Sequence, residues 1–426
     1  MKRFRKQTGL VFLCVILLFC WTSAPVAAWQ GDSLELAFIR DGKLWVKQGV
    51  QERPVTADGI ASWPLWSPDG RWIAFQKRER AQDDYAQLWV YDVANGRTYP
   101  VHDRVISARW SPQGSLLAFR VDSDLLVADL RAGVLKAAQQ VVPGISDYTW
   151  FPDGSGFLVS SLGQLAPTGW TSSELYKVWY SPDEEAKQVR KFYSLPNPLR
   201  FLDQEYLAIG TSGFKWSEDG KWIAFIATQT ASLSADANVL CLLSADGKSF
   251  KPAAEMLAYD EWFKWAPIGA KLGVIAGSGR FSLLGKRLSL FGPPFGEGQN
   301  LTPEGRADRS FAWLNEKSLL VARSAAPKSD REPLGNAFPR VMLVDAKSGS
   351  ARPLSSPPVG AGDFDPQALA GGKAMSWVRW NKKRADIWVA NSDGSQAKLW
   401  VEGIGEGQMY YEHWHWDSVL SWKPVP

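Results

Sequence analysis

Hydrophobic and polar positions alternate along this chain in short apolar runs separated by Gly, Pro, Asn and Asp. Beyond the N-terminal segment, no stretch keeps the roughly 3.6-residue period of an amphipathic helix. The runs are rich in β-branched and aromatic residues, which predicts strands joined by tight turns. One unit recurs, as "WSPDGRWIAF" at 66–75, "WSPQGSLLAF" at 110–119 and "WSEDGKWIAF" at 216–225. In the first, Trp66 ends one strand, Pro-Asp-Gly supplies a preset φ, a side-chain acceptor and a residue tolerant of positive φ, and Ile73, Ala74 and Phe75 begin the next. Degraded copies in the same register follow Trp150, Trp265 and Trp313.

Each copy is followed by another apolar strand, such as "QLWVYD" at 87, "NVLCLL" at 238 or "DIWVAN" at 386, then by a turn such as "VANG" or "NSDG" and a polar-flanked fourth piece. Four-strand units at a fixed period predict an all-β fold, a β-propeller whose small sheets pack face to face around an axis. The broad rings of the 23 Trp residues suit the space between such sheets. Starts at residues 66, 110, 150, 216, 265 and 313, a weak one near Phe364 and a last one at Trp416 give eight blades. Their mean spacing of about 50 residues fits the roughly 40–50 of known propeller repeats. Seven blades with an irregular insert between 160 and 210 is the competing count. "LELAFIRDGKLWVKQG" near the start matches the second and third strands of a unit without the innermost one. "YEHWHWDSVLSW" at the end is expected to supply that strand and close the ring, leaving no long open edge.

The N-terminus changes the picture of charge. Lys2, Arg3, Arg5 and Lys6 precede an apolar run from Leu10 to Trp21 and the small-residue stretch "SAPVAA", the pattern of a cleavable signal peptide over residues 1–28. The run is shorter than the roughly 20 residues of a membrane span, so the protein is expected to be exported, periplasmic or extracellular, with no permanent span. Four of the 48 cationic side chains leave with the signal, so 44 stand against 44 acidic ones in residues 29–426. A balanced chain lacks the positive field of a nucleic-acid binder. Cys241 is then the lone cysteine and is expected to pack as a small buried hydrophobe.

The three full motifs, each followed by an "LWVYD"-like strand, resemble the TolB-type propeller repeat of bacterial exported proteins, over nearly the whole of residues 29–426. The resemblance implies the fold. The N-terminal α/β domain of TolB itself is not expected, because the repeats begin directly after the leader. Propellers of this type also serve as lids on prolyl-oligopeptidase-like serine hydrolases, but no G-x-S-x-G nucleophile elbow occurs, and the chain stops where the propeller stops.

The remaining chemistry is sparse. His413 and His415 in "EHWHW" lie two apart, so on a strand they face one way and can share a metal. With His102 the only other histidine, such a site needs a carboxylate from elsewhere. The reading therefore sets both histidines on the inner strand, with Trp414 and Trp416 packed between blades, and assigns no metal, cofactor or catalytic residue. Asp363 and Asp365 in "GDFDP" can face the channel as paired carboxylates, but are assigned to a strand-entry loop. Trp170, in the polar "APTGWTSS" of the irregular stretch, is a candidate exposed aromatic anchor, with Tyr410 and Tyr411 as further binding candidates beside His413 and His415.

The function expected from these residues is a non-catalytic binding or scaffold module for a protein or cell-envelope component. The alternatives are a carbohydrate-binding or polysaccharide-degrading propeller and an accessory subunit of an envelope enzyme. A propeller enzyme needs His, carboxylates or metal ligands converging at one mouth of the channel; a binding module needs only a mixed patch. For the leader, N-terminal sequencing of the exported protein is expected to begin at Trp29; a start at Met1 would contradict the cleavage.

Overall fold

The computed structural model describes residues 34–183, 187–327 and 337–424; the signal segment 1–28 lies outside them. Eight four-stranded antiparallel sheets form the blades of a propeller. The innermost strands of blades 1 to 7 are Ile60–Trp66, Ser107–Trp110, Ile145–Trp150, Ala208–Trp216, Phe263–Trp265, Arg306–Asn315 and Gly362–Leu369. Blade 8 is made from both ends of the described chain: Leu420–Trp422 pairs antiparallel with Glu35–Arg40, which continues to Lys43–Gln48 and Gln51–Pro54. The irregular stretch replaces no blade. It holds two small hairpins, Leu165–Ala166 with Gly169–Trp170 and Leu199–Phe201 with Gln204–Tyr206, around the outer strands of blade 3.

The recurrent motif performs the turn chemistry read from it. Ser67 Oγ donates to Asp69 Oδ1 at 2.5 Å and accepts from Trp72 N–H at 2.9 Å, while Asp69 Oδ1 accepts from Arg71 N–H. Gly70 completes the turn at φ 66°. Ser217, Asp219 and Trp222 repeat these bonds in blade 4. Beyond each turn the strand is fully buried, as at Ile73, Phe75, Ile223 and Phe225. These side chains pack between sheets, so one continuous apolar cluster joins Leu242 of blade 4, Val274 of blade 5 and Phe311 of blade 6. Cys241 is buried as expected.

The motif Trp does more than fill space. Trp110 Nε1–H donates to Leu65 O, Trp150 to Arg109 O, Trp265 to Lys215 O and Trp313 to Lys264 O, at 2.9–3.1 Å. In each case the acceptor is on the innermost strand of the preceding blade, at the residue just before that strand's own motif Trp. The side chain of the same residue reaches forward. Lys215 Nζ donates to Phe263 O at 2.8 Å and Lys264 Nζ to Phe311 O at 2.7 Å. Arg109 Nη1 lies 3.1 Å from Asp147 of blade 3. The inner strands of blades 2 and 3, 4 and 5, and 5 and 6 are thus latched in both directions, whereas Leu65 of blade 1 only accepts.

Two motif starts differ from expectation. Trp416 lies in a short 3-10 turn, Trp416–Ser418, and the closing strand takes Trp422 as its motif residue: Trp422 pairs with Leu36 as Trp66 pairs with Ile73. In blade 7, Ala368, paired with Met375, occupies the motif position, and Phe364 lies four residues earlier on that strand. Nor are His413 and His415 on the inner strand. They belong to a separate hairpin, Gln408–Tyr410 with His413–His415, inserted before the closing strand. Chain closure needed only one of the two Trp-containing segments, and the six-residue step from Trp416 to Trp422 moved the histidines out of the ring wall.

Trp216 Nε1–H is buried without an acceptor. This makes a matched comparison, in which Trp265→Phe is expected to destabilise the protein by about 1 kcal/mol more than Trp216→Phe, the net worth of one buried hydrogen bond. Urea unfolding of both variants measures it; equal losses would show that the indole bond contributes nothing.

Candidate functional site

Three small elements meet beside the axis. The 3-10 turn Asp260–Trp262 precedes the inner strand of blade 5, the hairpin carries His413 and His415, and the turn Trp416–Ser418 follows it. The first is held rigidly: Lys215 Nζ bonds the carbonyls of Asp260 and Phe263, and Trp262, fully buried, donates its indole N–H to Arg309 O at 3.0 Å. Gly213, at φ 70° in a bulge of the blade 4 inner strand, permits this approach; a Cβ there would lie 2.5 Å from Asp260 Oδ1. Further inner-strand bulges, with Trp63 at φ 52° and Asp365 at φ 43°, redirect side chains at the axis.

Glu261 projects from its turn between the two imidazoles. Its Oε1 bonds His413 Nε2 and lies 2.9 Å from His415 Nδ1. Tyr259 stacks on the His413 ring at 4.1 Å between centroids, and Trp262 meets it edge-on at 5.3 Å. Trp414, alternating to the other face, packs on Trp380. Glu261 therefore supplies the carboxylate that the two histidines lacked in the sequence.

The cluster sits between two cavities. Glu261, His415, Asp417, Asp260, Asp147 and Arg109 line one of about 1000 Å³. Glu261, His413, Asp365, Arg309 and Glu412 line a neighbouring one of about 310 Å³. Buried polar atoms without partners gather here: Arg309 Nε, Ser282 Oγ and Glu412 Oε2 around the smaller cavity, Asp147 Oδ2 and Ser212 Oγ around the larger. Such groups are rare in native interiors and mark sites that take a ligand or perform chemistry.

The electrostatics follow from crowding inside the ring. Burial, reinforced by the negative charge of Asp147, lifts Asp260 to about 6; burial and Glu261 lift Asp417 to about 7. Burial alone would raise Glu261 too, but the imidazoles carry it well below the usual carboxylate range. Burial lowers His413, while His415, less enclosed, is raised against burial by Glu261. Lys215 is lowered to about 8 by burial, against the pull of Asp260.

Of the residues singled out in the sequence, His413 and His415 come together at this site. Tyr410 and Tyr411 stand on the same hairpin, 52% and 37% exposed, and line neither cavity. Trp170 is half-buried on a separate hairpin, its carbonyl accepting from Asn197, and lines neither cavity. Asp363 and Asp365 lie on an inner strand rather than an entry loop, and the bulge separates them: Asp363 is buried in an ion pair with Arg379 at 2.7 Å, whereas Asp365 faces the smaller cavity. Arg109, Lys215 and Lys264 were missed. Their signal was present, a cation immediately before the motif Trp in "ARW", "FKW" and "FKW".

Fold and site together define an eight-bladed propeller with converging histidines and carboxylates at its axis. No protein-family model matches the chain. Over 208 residues it is 27% identical to the uncharacterized peptidase YuxL of Bacillus subtilis (strain 168), covering 41% of this chain and 31% of that protein. Over 205 residues it is 25% identical to a probable dipeptidyl-aminopeptidase B of Tuber melanosporum (strain Mel28), covering 47% of this chain and 17% of that one. The chain thus spans less than a third of the length of these relatives. Among solved structures, dihydro-heme d1 dehydrogenase NirN aligns with TM-score 0.57 at 13% identity, over 90% of this chain and 76% of that one. Puromycin hydrolase aligns with TM-score 0.51 at 14% identity, over 82% and 55%. Both structural likenesses bear on the fold alone. The expectation of a non-catalytic, non-enzymatic scaffold, and its saccharide alternative, are corrected by the two sequence relatives, both named as peptidases.

Lys215 offers a direct check of the electrostatics. Its pKa in the fold, about 8, lies below the roughly 10.4 of an unfolded lysine, so the unfolded chain holds more protons between those values. The stability of the wild type relative to Lys215→Met is therefore expected to rise between about pH 8 and 10 in urea unfolding; a difference independent of pH would contradict the shift.

Proposed function

We propose that this chain acts in peptide hydrolysis, as a peptidase propeller of the TolB-type repeat family whose axial cavity receives the peptide. The observation that carries the reading is the convergence of Glu261, His415, Asp260 and Asp417 on a cavity of about 1000 Å³, with His413 bonded to Glu261 from the side of the smaller cavity. That volume is at the upper end of small-ligand pockets and suits a few peptide residues. The peptidase names of the sequence relatives give the bond class. In this reading the cluster supplies acid–base groups to the scissile amide. The exposed Tyr410 and Tyr411, on the hairpin that carries the histidines, contact the entering chain, and the unpartnered atoms of Asp147 and Ser212 bond its backbone. The protein meets its peptide partner outside the cytoplasm after export.

The test is hydrolysis of aminoacyl- and dipeptidyl-4-nitroanilides by the purified protein. Wild type is expected to turn over at least one of them, insensitive to fluorophosphonates because no serine elbow is involved. Glu261→Gln is expected to lower kcat/KM by about 100-fold or more. Absence of turnover across the panel, or turnover that Glu261→Gln leaves intact, would overturn the reading.

A further inference from the structure

The arrangement of Glu261, His413 and His415 asks for more than a hydrogen-bonded trio. Both imidazoles aim a ring nitrogen at one carboxylate oxygen, and the three potential ligand atoms all lie within 4.8 Å of one another. A tetrahedral ion with bonds of about 2.0–2.2 Å holds its ligand atoms about 3.3–3.5 Å apart. The contacts of Glu261 with His413 Nε2 and with His415 Nδ1, the latter 2.9 Å, need to open, which rotation of the Glu261 side chain accomplishes. The widest pair, the two imidazole nitrogens, lies within 4.8 Å and closes by a movement of His415, the more exposed ring.

Four features of the cluster and its surroundings suit an ion. The supports are stiff: His413 is clamped between Tyr259 and Trp262, and the turn bearing Glu261 is tied down by Lys215 and by the Trp262 indole. The two histidines are consecutive same-face positions of one short strand, paired with Tyr410 and Gln408 across the hairpin. The donor set, two imidazole nitrogens and one carboxylate, matches zinc and its first-row neighbours rather than calcium or magnesium, which prefer all-oxygen shells. Arg309, 7% exposed, and Ser282, 2% exposed, turn unpartnered polar atoms into the cavity that Glu261 and His413 line, so the space beside the cluster is built for a polar occupant.

We propose that Glu261, His413 and His415 bind one divalent transition-metal ion of the zinc class, with the remaining coordination position turned to the axial cavities. Three protein ligands and one open position distinguish catalytic from structural zinc sites. As a hydrolytic centre the site rests on the peptidase reading; as a metal site it stands on geometry alone.

The test is titration of the chelator-treated, full-length purified protein with zinc chloride by calorimetry, and with cobalt(II) by visible absorption. Wild type is expected to bind one equivalent of zinc, and cobalt to develop the visible bands of a low-coordinate nitrogen–oxygen site. His415→Ala and Glu261→Gln are expected to weaken zinc by more than the about 10–100-fold that loss of an outer-sphere partner costs. His102→Ala, which alters the one histidine outside the cluster, is expected to bind as wild type. Near-UV circular dichroism confirms that each variant is folded. Substoichiometric binding of both ions by wild type, or unchanged zinc affinity in both cluster variants, would overturn the site. Nitroanilide turnover without bound metal and unaffected by chelator sinks the metal site and leaves the peptidase reading; one tight zinc lost in the variants, without turnover, does the reverse.

Discussion

The reciprocal latch between the inner strands of blades 2 and 3, 4 and 5, and 5 and 6 is the constraint on which the axial site depends. A motif Trp donates its indole N–H back to the carbonyl just ahead of the previous motif Trp, and the residue bearing that carbonyl sends its own side chain forward. Lys215 and Trp265 do this between blades 4 and 5, Lys264 and Trp313 between blades 5 and 6. One residue position thus serves two interfaces. Each bond is worth only about 0.5–1.5 kcal/mol net, but leaving its buried donor or acceptor unpaired costs more, so the latch fixes the angular register of the blades.

That register builds the site. The forward-reaching cations are drawn toward the axis, where Lys215 holds the Asp260–Trp262 turn by its carbonyls and Arg109 faces Asp147. With the turn fixed, Glu261 has one direction in which to project, and the hairpin inserted before the closing strand delivers two imidazoles to it. Concentrating charges of both signs within the ring is costly unless they pair closely, which is why Asp363 and Asp308 are neutralised by Arg379 and Arg323, while Asp260, 4.0 Å from Arg109, and Asp417 shift toward their neutral forms. Among the groups left imperfectly paired, Arg309, Ser282 and Glu412 line the smaller cavity and Asp147 and Ser212 the larger, where a working site is expected to break local rules.

Local chemistry repeated many times is legible in a linear chain. The turn of Ser67, Asp69 and Gly70 is encoded within six residues and needs nothing distant; its recurrence determined strand order, blade composition, the blade count and closure by the C-terminal strand. Where the repeat decays, reading by similarity faltered. Trp416 resembles the motif residue, because Trp and strand-like neighbours surround it, and only pairing with Leu36 shows that Trp422 holds the place. The same resemblance sets His413 and His415 in the ring wall, from which the inserted hairpin removes them.

What tertiary structure alone decided is the meeting of residues with no common motif. Glu261 and His413 stand 152 positions apart, and nothing in "YDEWFKW" marks one acid as a partner for "EHWHW". Periodicity specifies how each blade folds because those interactions are local. The contents of the axis depend on the angle at which eight blades close, a global quantity summed over every interface, so the histidines could be named from the sequence while their carboxylate, and with it the chemistry they can perform, could not.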